Sequence, residues 1–127
     1  MTSTEEIKST VEAYAAAQSA RDVDAIVALF APDAVVTDPV HEPPHLGRQA
    51  IHAFFTGTKD LADALDLQIT GPIRAVDSFA AVPMRAVSTI GEMRVAIDII
   101  DVFTFGSDGL IVDMKAYWDP TAMVPLD

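Results

Sequence analysis

The chain contains no cysteine and few basic residues, and both shortages narrow the classes of function open to it. The absence of cysteine excludes disulfides, thiolate metal sites and thiol catalysis. Only 8 basic residues stand against 19 acidic ones, so the formal net charge is −11. Because a charge of that sign repels nucleic acid and anionic membranes, we expect neither as a partner.

Long apolar runs are also missing from the sequence. No uninterrupted run approaches the roughly 20 residues that cross a bilayer, and the start "MTSTEEIK" lacks the apolar core of a signal peptide. We therefore expect a cytoplasmic protein. The length of 127 residues, half of them apolar, predicts one domain over residues 1–127 with a core of its own.

The segment that starts at Thr37, "TDPVHEPPHLG", contains the pattern H-E-x-x-H, which is typical of zinc hydrolases when it lies on a helix. Its histidines, His41 and His45, share one face only if the backbone between them is helical. Pro43 and Pro44 lie between them, lack an N–H and favour extended backbone in the residue before each. The pattern therefore predicts a proline-rich loop, and we expect no metal there.

The predicted elements run in the order helices first and strands afterwards. Helical periodicity predicts helices over 4–19, 23–30 and about 48–56, and Ser3 and Glu6 have the spacing of a capping box. From about residue 66 the period shifts to two, which predicts strands that include 93–105, a "GSDG" turn and a returning strand "LIVDMKAYW". This order predicts an α+β domain with helices packed on one face of a curved sheet.

The predicted strand 93–105 carries an acid on its apolar face. Strand alternation puts Asp101 in one row with Val95, Ile97, Ile99, Phe103 and Phe105. An ionised carboxylate is costly to desolvate, so burial raises a carboxyl pKa and favours the protonated form, which can donate a hydrogen bond. The alternative is an ionised Asp101 paired with a basic residue such as Arg85 or Arg94.

Three further side chains are candidates for the same site. Tyr14 lies on the inward apolar stripe of the first helix, and Asp38 ends the short strand before Pro39. Trp118 ends the last strand, on the predicted face of Leu110, Val112, Met114 and Ala116. Each also has an ordinary interpretation, as a core tyrosine, a turn acid or a packed tryptophan. Together with Asp101 they supply one possible base and two neutral donors in a small apolar domain.

These segments resemble bacterial ketosteroid isomerase, a family of the SnoaL-like, nuclear transport factor 2-like superfamily. The resemblance runs from about residue 7 to 118 and rests on "RDVDAIVALFAPDAVVTDPV", on "IIDVFTF" with its "GSDG" turn, and on "VDMKAYW". It implies a cone in which three N-terminal helices pack on a curved, mixed and mostly antiparallel sheet. It also implies steroid Δ-isomerase activity without a metal or organic cofactor, a steroid or similar hydrophobic ligand, and homodimers formed through the open sheet face.

The matched motifs assign roles to individual residues. By this resemblance Tyr14 is the oxyanion-hole tyrosine, Asp38 in the V-x-D-P segment is the general base, and Asp101 in the I-D-x-F segment is the protonated oxyanion-hole aspartate. Trp118 matches an aromatic residue that lines the steroid plane. We expect the rest of the substrate-binding surface to include Phe55, Met84, Val36 and Met114.

The chain also departs from this family. The family often has a tyrosine at the second aromatic position of the third helix, hydrogen-bonded to the oxyanion-hole tyrosine, whereas this chain has Phe55 there and Phe30 nearby. Tyr14 is therefore expected to be held less rigidly. Two other classes stay open: a polyketide cyclase or epoxide hydrolase, the latter needing an Asp-Arg-Asp arrangement around a water, and a non-catalytic carrier of hydrophobic small molecules.

Overall fold

The computed structural model describes residues 3–126 and has three helices, α1 to α3, on one side of a sheet. They span Thr4–Ala20, Val23–Val27 and Gly47–Asp60. At the start of α1, the Ser3 side chain accepts a hydrogen bond from the main-chain N–H of Glu6, and the Glu6 carboxylate accepts one from the main-chain N–H of Ser3. The predicted capping box is thereby confirmed, and it fixes the end of the helix that carries Tyr14.

The sheet contains eight described strands, β1 to β8, which span Phe30–Thr37, His45–Leu46, Ala64–Ile69, Arg74–Val76, Phe79–Ile90, Met93–Phe105, Ile111–Tyr117 and Val124–Leu126. Their order is β2-β1-β7-β6-β5-β3, with β4 also paired to β5 and β8 to β6. The β1–β7 pair is parallel, and the other described pairs are antiparallel. The predicted α+β architecture, with a mixed and mostly antiparallel sheet, is confirmed.

The helices and the inner face of the sheet enclose one hydrophobic core. Helix α1 packs on β3, and α3 packs on β1. Their buried side chains include Ile7, Val11, Tyr14, Ile51 and Phe55. Burial of apolar surface stabilises such a core by about 25 cal/mol per Å². No helix within residues 3–126 is long and apolar enough to cross a membrane.

Two helix boundaries differ from those predicted. Helix α2 ends at Val27 and not at residue 30, because Phe30 begins β1 and pairs with Ile111 of β7. Helix α3 continues to Asp60, past the predicted end at residue 56 and through Gly57. Pairing across the sheet and packing on the core therefore override the local signals at these helix ends.

Strand β7 contains an irregularity that the sequence did not reveal. Thr104 of β6 pairs with Asp113, whereas Phe105 pairs with Ile111, so Val112 is an extra residue in β7. Such a bulge resets the alternation of the strand. Ile111 is therefore fully buried, whereas Leu110 and Val112 are only partly buried and pack against the edge of the core. Met114 and Ala116 do face the core, as predicted.

Candidate active site

Asp101 lies on the inner face of β6 between apolar neighbours. It pairs with Val82 of β5 on one side and with Ala116 of β7 on the other, and Ile99 and Phe103 flank it along β6. Asp101 is 3% exposed, and no other acid among residues 3–126 is buried to this degree. The carboxyl group is thus held in a place where an ionised form is poorly solvated.

No basic side chain in the described part of the chain forms an ion pair with Asp101. Arg85 binds Asp98 at 2.9 Å on the outer face of the sheet, and Arg94 is exposed. Burial, followed by the charge of Asp38, raises the pKa of Asp101 well above its ordinary value. No Asp101–arginine pair is present within residues 3–126, and the raised pKa favours the protonated carboxyl group, which is able to donate a hydrogen bond.

Tyr14 comes to the same region from α1, where it is enclosed by aromatic rings. Its ring makes edge-to-face contacts with Phe103, Phe30 and Phe55, at centroid distances of 5.5, 6.3 and 6.3 Å. Its hydroxyl oxygen accepts a hydrogen bond from Nε2 of Gln18 at 2.9 Å. That bond uses the acceptor side of the hydroxyl group and leaves its proton for another partner.

Asp38 and Trp118 meet because each follows one of two parallel neighbouring strands. Thr37 of β1 lies opposite Lys115 of β7, so both strands leave the sheet at the same edge. There the indole Nε1–H of Trp118 donates to Oδ1 of Asp38 at 2.7 Å. Burial raises the pKa of Asp38 above its ordinary value, while the Trp118 hydrogen bond and then the charge of His45 lower it. Asp38 is thus the partly buried acid whose ionised form is directly stabilised.

Electrostatic coupling indicates that Tyr14, Asp38 and Asp101 share one region. Burial is the main cause of the raised pKa of both Tyr14 and Asp101, and the charge of Asp38 adds to both shifts. The geometry agrees: Tyr14 contacts Phe103, two residues along β6 from Asp101. Ala116, which pairs with Asp101, accepts a main-chain hydrogen bond at 2.8 Å from Val40, two residues after Asp38. The three candidate residues of the sequence analysis therefore lie in one region of the structure.

A cavity of about 270 Å³ lies beside these groups, between the helices and the sheet. Two of the residues predicted to bind the substrate, Phe55 and Trp118, line it, together with Gln18 and Ile97. Tyr14, Asp38 and Asp101 are not in its lining. Gln18 and Phe55 contact Tyr14, and Trp118 contacts Asp38. The cavity is therefore separated from Tyr14 by Gln18 and Phe55 and from Asp38 by Trp118.

The other residues expected at the substrate lie deeper. Val36, Met84 and Met114 are at most 1% exposed and belong to the core rather than to the cavity lining. Met84 is on the inner face of β5, opposite Ile99, and Met114 is opposite Phe103. All three lie on the same side of the sheet as Asp101, so their contact with a substrate stays a prediction.

Two contacts of this site were missed by sequence reasoning. Gln18 follows Tyr14 by four residues, one helical turn, and that spacing was a signal that could have identified it. The Trp118–Asp38 hydrogen bond depends on the parallel pairing of β1 with β7. The local sequence does not predict that pairing, because the two strands are about 80 residues apart in the chain.

The H-E-x-x-H pattern is split between two kinds of backbone. His41 lies in a turn, whereas His45 lies in β2 and stacks on Phe54 with ring centroids 4.4 Å apart. Within residues 3–126, no group of three or more His, Cys, Asp and Glu side chains is arranged to hold a metal ion. The segment thus lacks the helical geometry that a zinc site of this pattern requires.

Known proteins similar to this chain are enzymes. Residues 11–114 match the SnoaL-like domain family. The chain is 36% identical over 119 residues to Steroid Delta-isomerase from Nocardioides simplex, which covers 94% of each protein. It is also 30% identical over 114 residues to Epoxide hydrolase LasB from Streptomyces lasalocidi, which covers 85% of this chain and 39% of that protein.

A solved structure extends this similarity to the fold. The epoxide hydrolase/cyclase-like enzyme SalBIII, which has a role in pyran ring formation in the polyether salinomycin, superimposes with a TM-score of 0.87. The two chains are 29% identical, and the match covers 97% of this chain and 98% of the other. The nuclear transport factor 2-like cone expected from the sequence is thereby confirmed.

Proposed function

This chain belongs to the SnoaL-like domain family, and from that premise we propose that it is a steroid Δ-isomerase. Its relatives described above are enzymes, which supports an enzymatic role. The observation that carries the isomerase proposal is the buried carboxyl group of Asp101, which lies on the apolar face of β6 without an ion-pair partner among residues 3–126 and close to Tyr14 and Asp38. A base and two hydrogen-bond donors placed together can catalyse proton transfer next to a carbonyl group.

The proposed reaction moves one proton within a Δ5-3-ketosteroid. The Asp38 carboxylate removes a proton from C4, which is acidic because it lies between a ketone and a C=C bond. The electron pair moves towards the C3 oxygen and gives a dienolate. Protonated Asp38 then returns the proton at C6, which leaves the conjugated Δ4-3-ketone and regenerates the carboxylate. Protons and electrons balance without an added cofactor.

The two neutral donors stabilise the charge that develops on the C3 oxygen. Tyr14 and protonated Asp101 each donate a hydrogen bond, in a site from which most water is excluded. Hydrogen bonds to an anion are strong under these conditions, and loss of one such donor typically costs about 10²–10³ in kcat. Burial raises the pKa of both groups and so favours their protonated forms, whereas the Trp118 hydrogen bond favours the ionised form of Asp38.

A hydrophobic ligand fits the walls of the adjoining cavity. Most of the lining is aliphatic or aromatic and includes Val23, Ile26, Leu65, Ile97 and Trp118. Steroid rings would bind there by burial of apolar surface, worth about 25 cal/mol per Å². The ketone end would face the acids beyond Gln18 and Trp118.

The test is a Δ5-3-ketosteroid mixed with the protein, followed by ultraviolet absorbance as the enone becomes conjugated. Asp38→Asn is nearly isosteric but cannot accept the proton, so kcat should fall by roughly 10²–10⁴-fold while ligand binding persists. Asp33→Asn, at an exposed position of β1, the strand that Asp38 follows, is the matched control. Turnover of Asp38→Asn within about threefold of the wild-type value would remove Asp38 from the role of base.

An epoxide hydrolase or cyclase is the second candidate, favoured by the similarity to LasB and SalBIII. The hydrolase needs an arginine between two acids. Arg85 pairs with Asp98 on the outer face, and Arg48 donates to the main-chain oxygen of Phe30 at 2.9 and 2.7 Å. This placement argues against such a triad. Conversion of an epoxide to a diol or cyclic ether by a protein inactive on steroids would favour this candidate, and binding of steroid without any turnover would indicate a carrier.

We also propose that the protein forms homodimers through the outer face of its sheet. Phe79, Ile100 and Tyr117 expose 48%, 45% and 47% of their surfaces, and Ile100 and Tyr117 are directly paired across β6 and β7. An exposed apolar patch on a sheet is a common site of protein association. A second copy of the chain would cover this patch and leave the inner face, with its acids, within each protomer.

A further inference from the structure

Tyr14 has a single side-chain partner for its hydroxyl group within residues 3–126. The aromatic rings around it belong to Phe30, Phe55 and Phe103, none of which carries a hydroxyl group. Nε2 of Gln18 donates to the Tyr14 oxygen at 2.9 Å. The Gln18 amide is therefore the side-chain group that holds the Tyr14 oxygen in this part of the chain.

We propose that Gln18 is a positioning residue for Tyr14: its amide N–H fixes the tyrosine oxygen and leaves the hydroxyl proton to be donated to the substrate's C3 oxygen. This inference rests on the isomerase function proposed above. A tyrosine hydroxyl group has one proton to donate and lone pairs to accept. Because Gln18 uses only the acceptor side, Tyr14 keeps its full capacity as a donor.

The position of Gln18 suits this role. It lies one turn after Tyr14 on the same helix, so the two side chains are neighbours on one face. Gln18 is partly buried and also lines the cavity, next to Phe55. The amide is therefore held between the tyrosine oxygen and the space through which a ligand would reach it.

The hydrogen bond also affects the strength of Tyr14 as a donor. Burial raises the pKa of Tyr14 well above its ordinary value, and the charges of Asp101 and Asp38 raise it further. The bond from Gln18 acts in the opposite direction. A hydroxyl group that accepts a hydrogen bond becomes a better donor through its own proton, because successive hydrogen bonds polarise one another. Removal of the Gln18 amide should therefore make the Tyr14 hydroxyl group a weaker hydrogen-bond donor and also fix its position less firmly.

Two substitutions separate these effects. Gln18→Leu removes the donor to Tyr14 and should lower kcat by about two- to tenfold, with a smaller change in KM, since a neutral hydrogen bond contributes about 0.5–1.5 kcal/mol. Gln18→Glu presents only acceptors when ionised, so Tyr14 should donate to it and lose its proton for the substrate. We therefore expect Gln18→Glu to be slower than Gln18→Leu, although glutamate is closer to glutamine in shape.

A double-mutant cycle tests whether Gln18 acts through Tyr14. In a Tyr14→Phe background there is no tyrosine oxygen to hold, so adding Gln18→Leu should change kcat by less than about twofold. Gln49→Leu, the same substitution at an exposed helical position of α3, is the matched control and should leave turnover unchanged. An unchanged kcat for Gln18→Leu, an equal loss in both backgrounds, or a faster Gln18→Glu variant would each overturn the positioning role.

A measurement without steroid distinguishes failure of this inference from failure of the isomerase proposal. The side-chain amide signals of Gln18 in a ¹⁵N–¹H spectrum should move in Tyr14→Phe relative to the wild type, and those of Gln49 should not. A protein that shows this shift but does not isomerise the steroid would contradict the isomerase function and leave the contact intact. Absence of the shift would overturn the contact itself, whatever the activity.

Discussion

At Asp101 the protonation state follows from the side chains that surround one carboxyl group. Val82 and Ala116 lie beside it across the sheet, and Ile99 and Phe103 lie along its strand. None of these neighbours can solvate a negative charge. The sequence alone predicted the two neighbours along β6, since alternation fixes them, but could not identify those contributed by β5 and β7. Strand alternation also predicted that Asp101 lies on the apolar face, but it could not decide whether a basic residue pairs with the carboxyl group.

The raised pKa of Asp101 makes stability depend on pH in a defined direction. In the unfolded chain its pKa is about 3.9, and in the folded protein it is higher. Between these two values the folded state binds more protons than the unfolded state, so the free energy of unfolding falls as pH rises. The contribution of Asp101 is complete below pH of about 4 and is lost as pH rises towards the folded pKa.

Replacement of Asp101 tests both its charge state and its role. Asp101→Asn keeps a donor of similar shape and should retain substantial activity, whereas Asp101→Leu should lose about 10²-fold or more in kcat. The Leu variant should fold at least as stably as the wild type at neutral pH, because it buries no polar group. The stability advantage of Asp101→Asn over the wild type should grow as pH rises above about 4. Urea unfolding across this range and the steroid assay measure the two effects.

Asp98→Asn supplies the control for this prediction. Asp98 lies on the same strand but on the outer face, where it is exposed and paired with Arg85. Its replacement should change neither turnover nor the pH dependence attributed to Asp101. If both Asp101 variants were destabilised by several kcal/mol, and turnover fell only in step with the folded fraction, Asp101 would be an ionised structural residue instead.

Among the elements, regular strands were predictable and their pairing was not. Strand β6 spans Met93–Phe105, as its unbroken alternation predicted. The returning strand β7 follows the same alternation only from Asp113 onwards, because the bulge at Val112 depends on how β7 pairs with Thr104 and Phe105. Local sequence specifies which faces are apolar, whereas register is set between strands.

The parallel pair of β1 and β7 has a direct consequence for the proposed base. The pairing brings Trp118 to Asp38, and the Nε1–H hydrogen bond lowers the pKa of a carboxyl group that burial raises. Resemblance had assigned Trp118 to the steroid plane only. The sheet topology predicts a second role for it, which is to favour the ionised form of Asp38.

Trp118→Phe should therefore move the acid limb of the kcat/KM profile. The variant keeps an aromatic ring but loses the donor, so the pKa of Asp38 should rise and the base should become protonated at higher pH. Hydrogen bonds to charged groups contribute about 1.5–3 kcal/mol, which corresponds to a shift of roughly one to two pH units. Steady-state kinetics between pH 4 and 9 would measure the limb. Tyr117→Phe, one residue earlier and on the outer face, is the control.

An acid limb that stays in place in Trp118→Phe would contradict this tuning role. A change in KM without any change in the pH profile would mean that Trp118 contacts the ligand but does not alter the pKa of Asp38. The two outcomes are separable because the hydrogen bond acts on Asp38 in the free enzyme, to which kcat/KM responds.

At the scale of the whole molecule, the net charge is strongly negative, but part of the outer face of the sheet carries acidic residues that are paired with basic ones. The protein carries a formal charge of −11, which disfavours the approach of a second copy. On the outer face, however, Arg85 binds Asp98 at 2.9 Å and Lys115 binds Asp113 at 2.7 Å. These pairs are locally neutral and border the apolar patch of Phe79, Ile100 and Tyr117. Repulsion between two copies should therefore be weak at this face.

Ile100→Lys is the sharpest test of the proposed homodimer. Ile100 lies on the outer face of β6, and in a symmetric dimer its replacement would bury two positive charges against the apolar patch of the partner copy. Light scattering after size exclusion should give twice the chain mass for the wild type and the single mass for the variant, at the same micromolar concentration. Leu46→Lys introduces the same residue at an exposed apolar position of β2, outside the patch, and should stay dimeric. Circular dichroism verifies that both variants are folded. A monomeric wild type, or a dimeric Ile100→Lys variant, would show that two copies do not associate through this face.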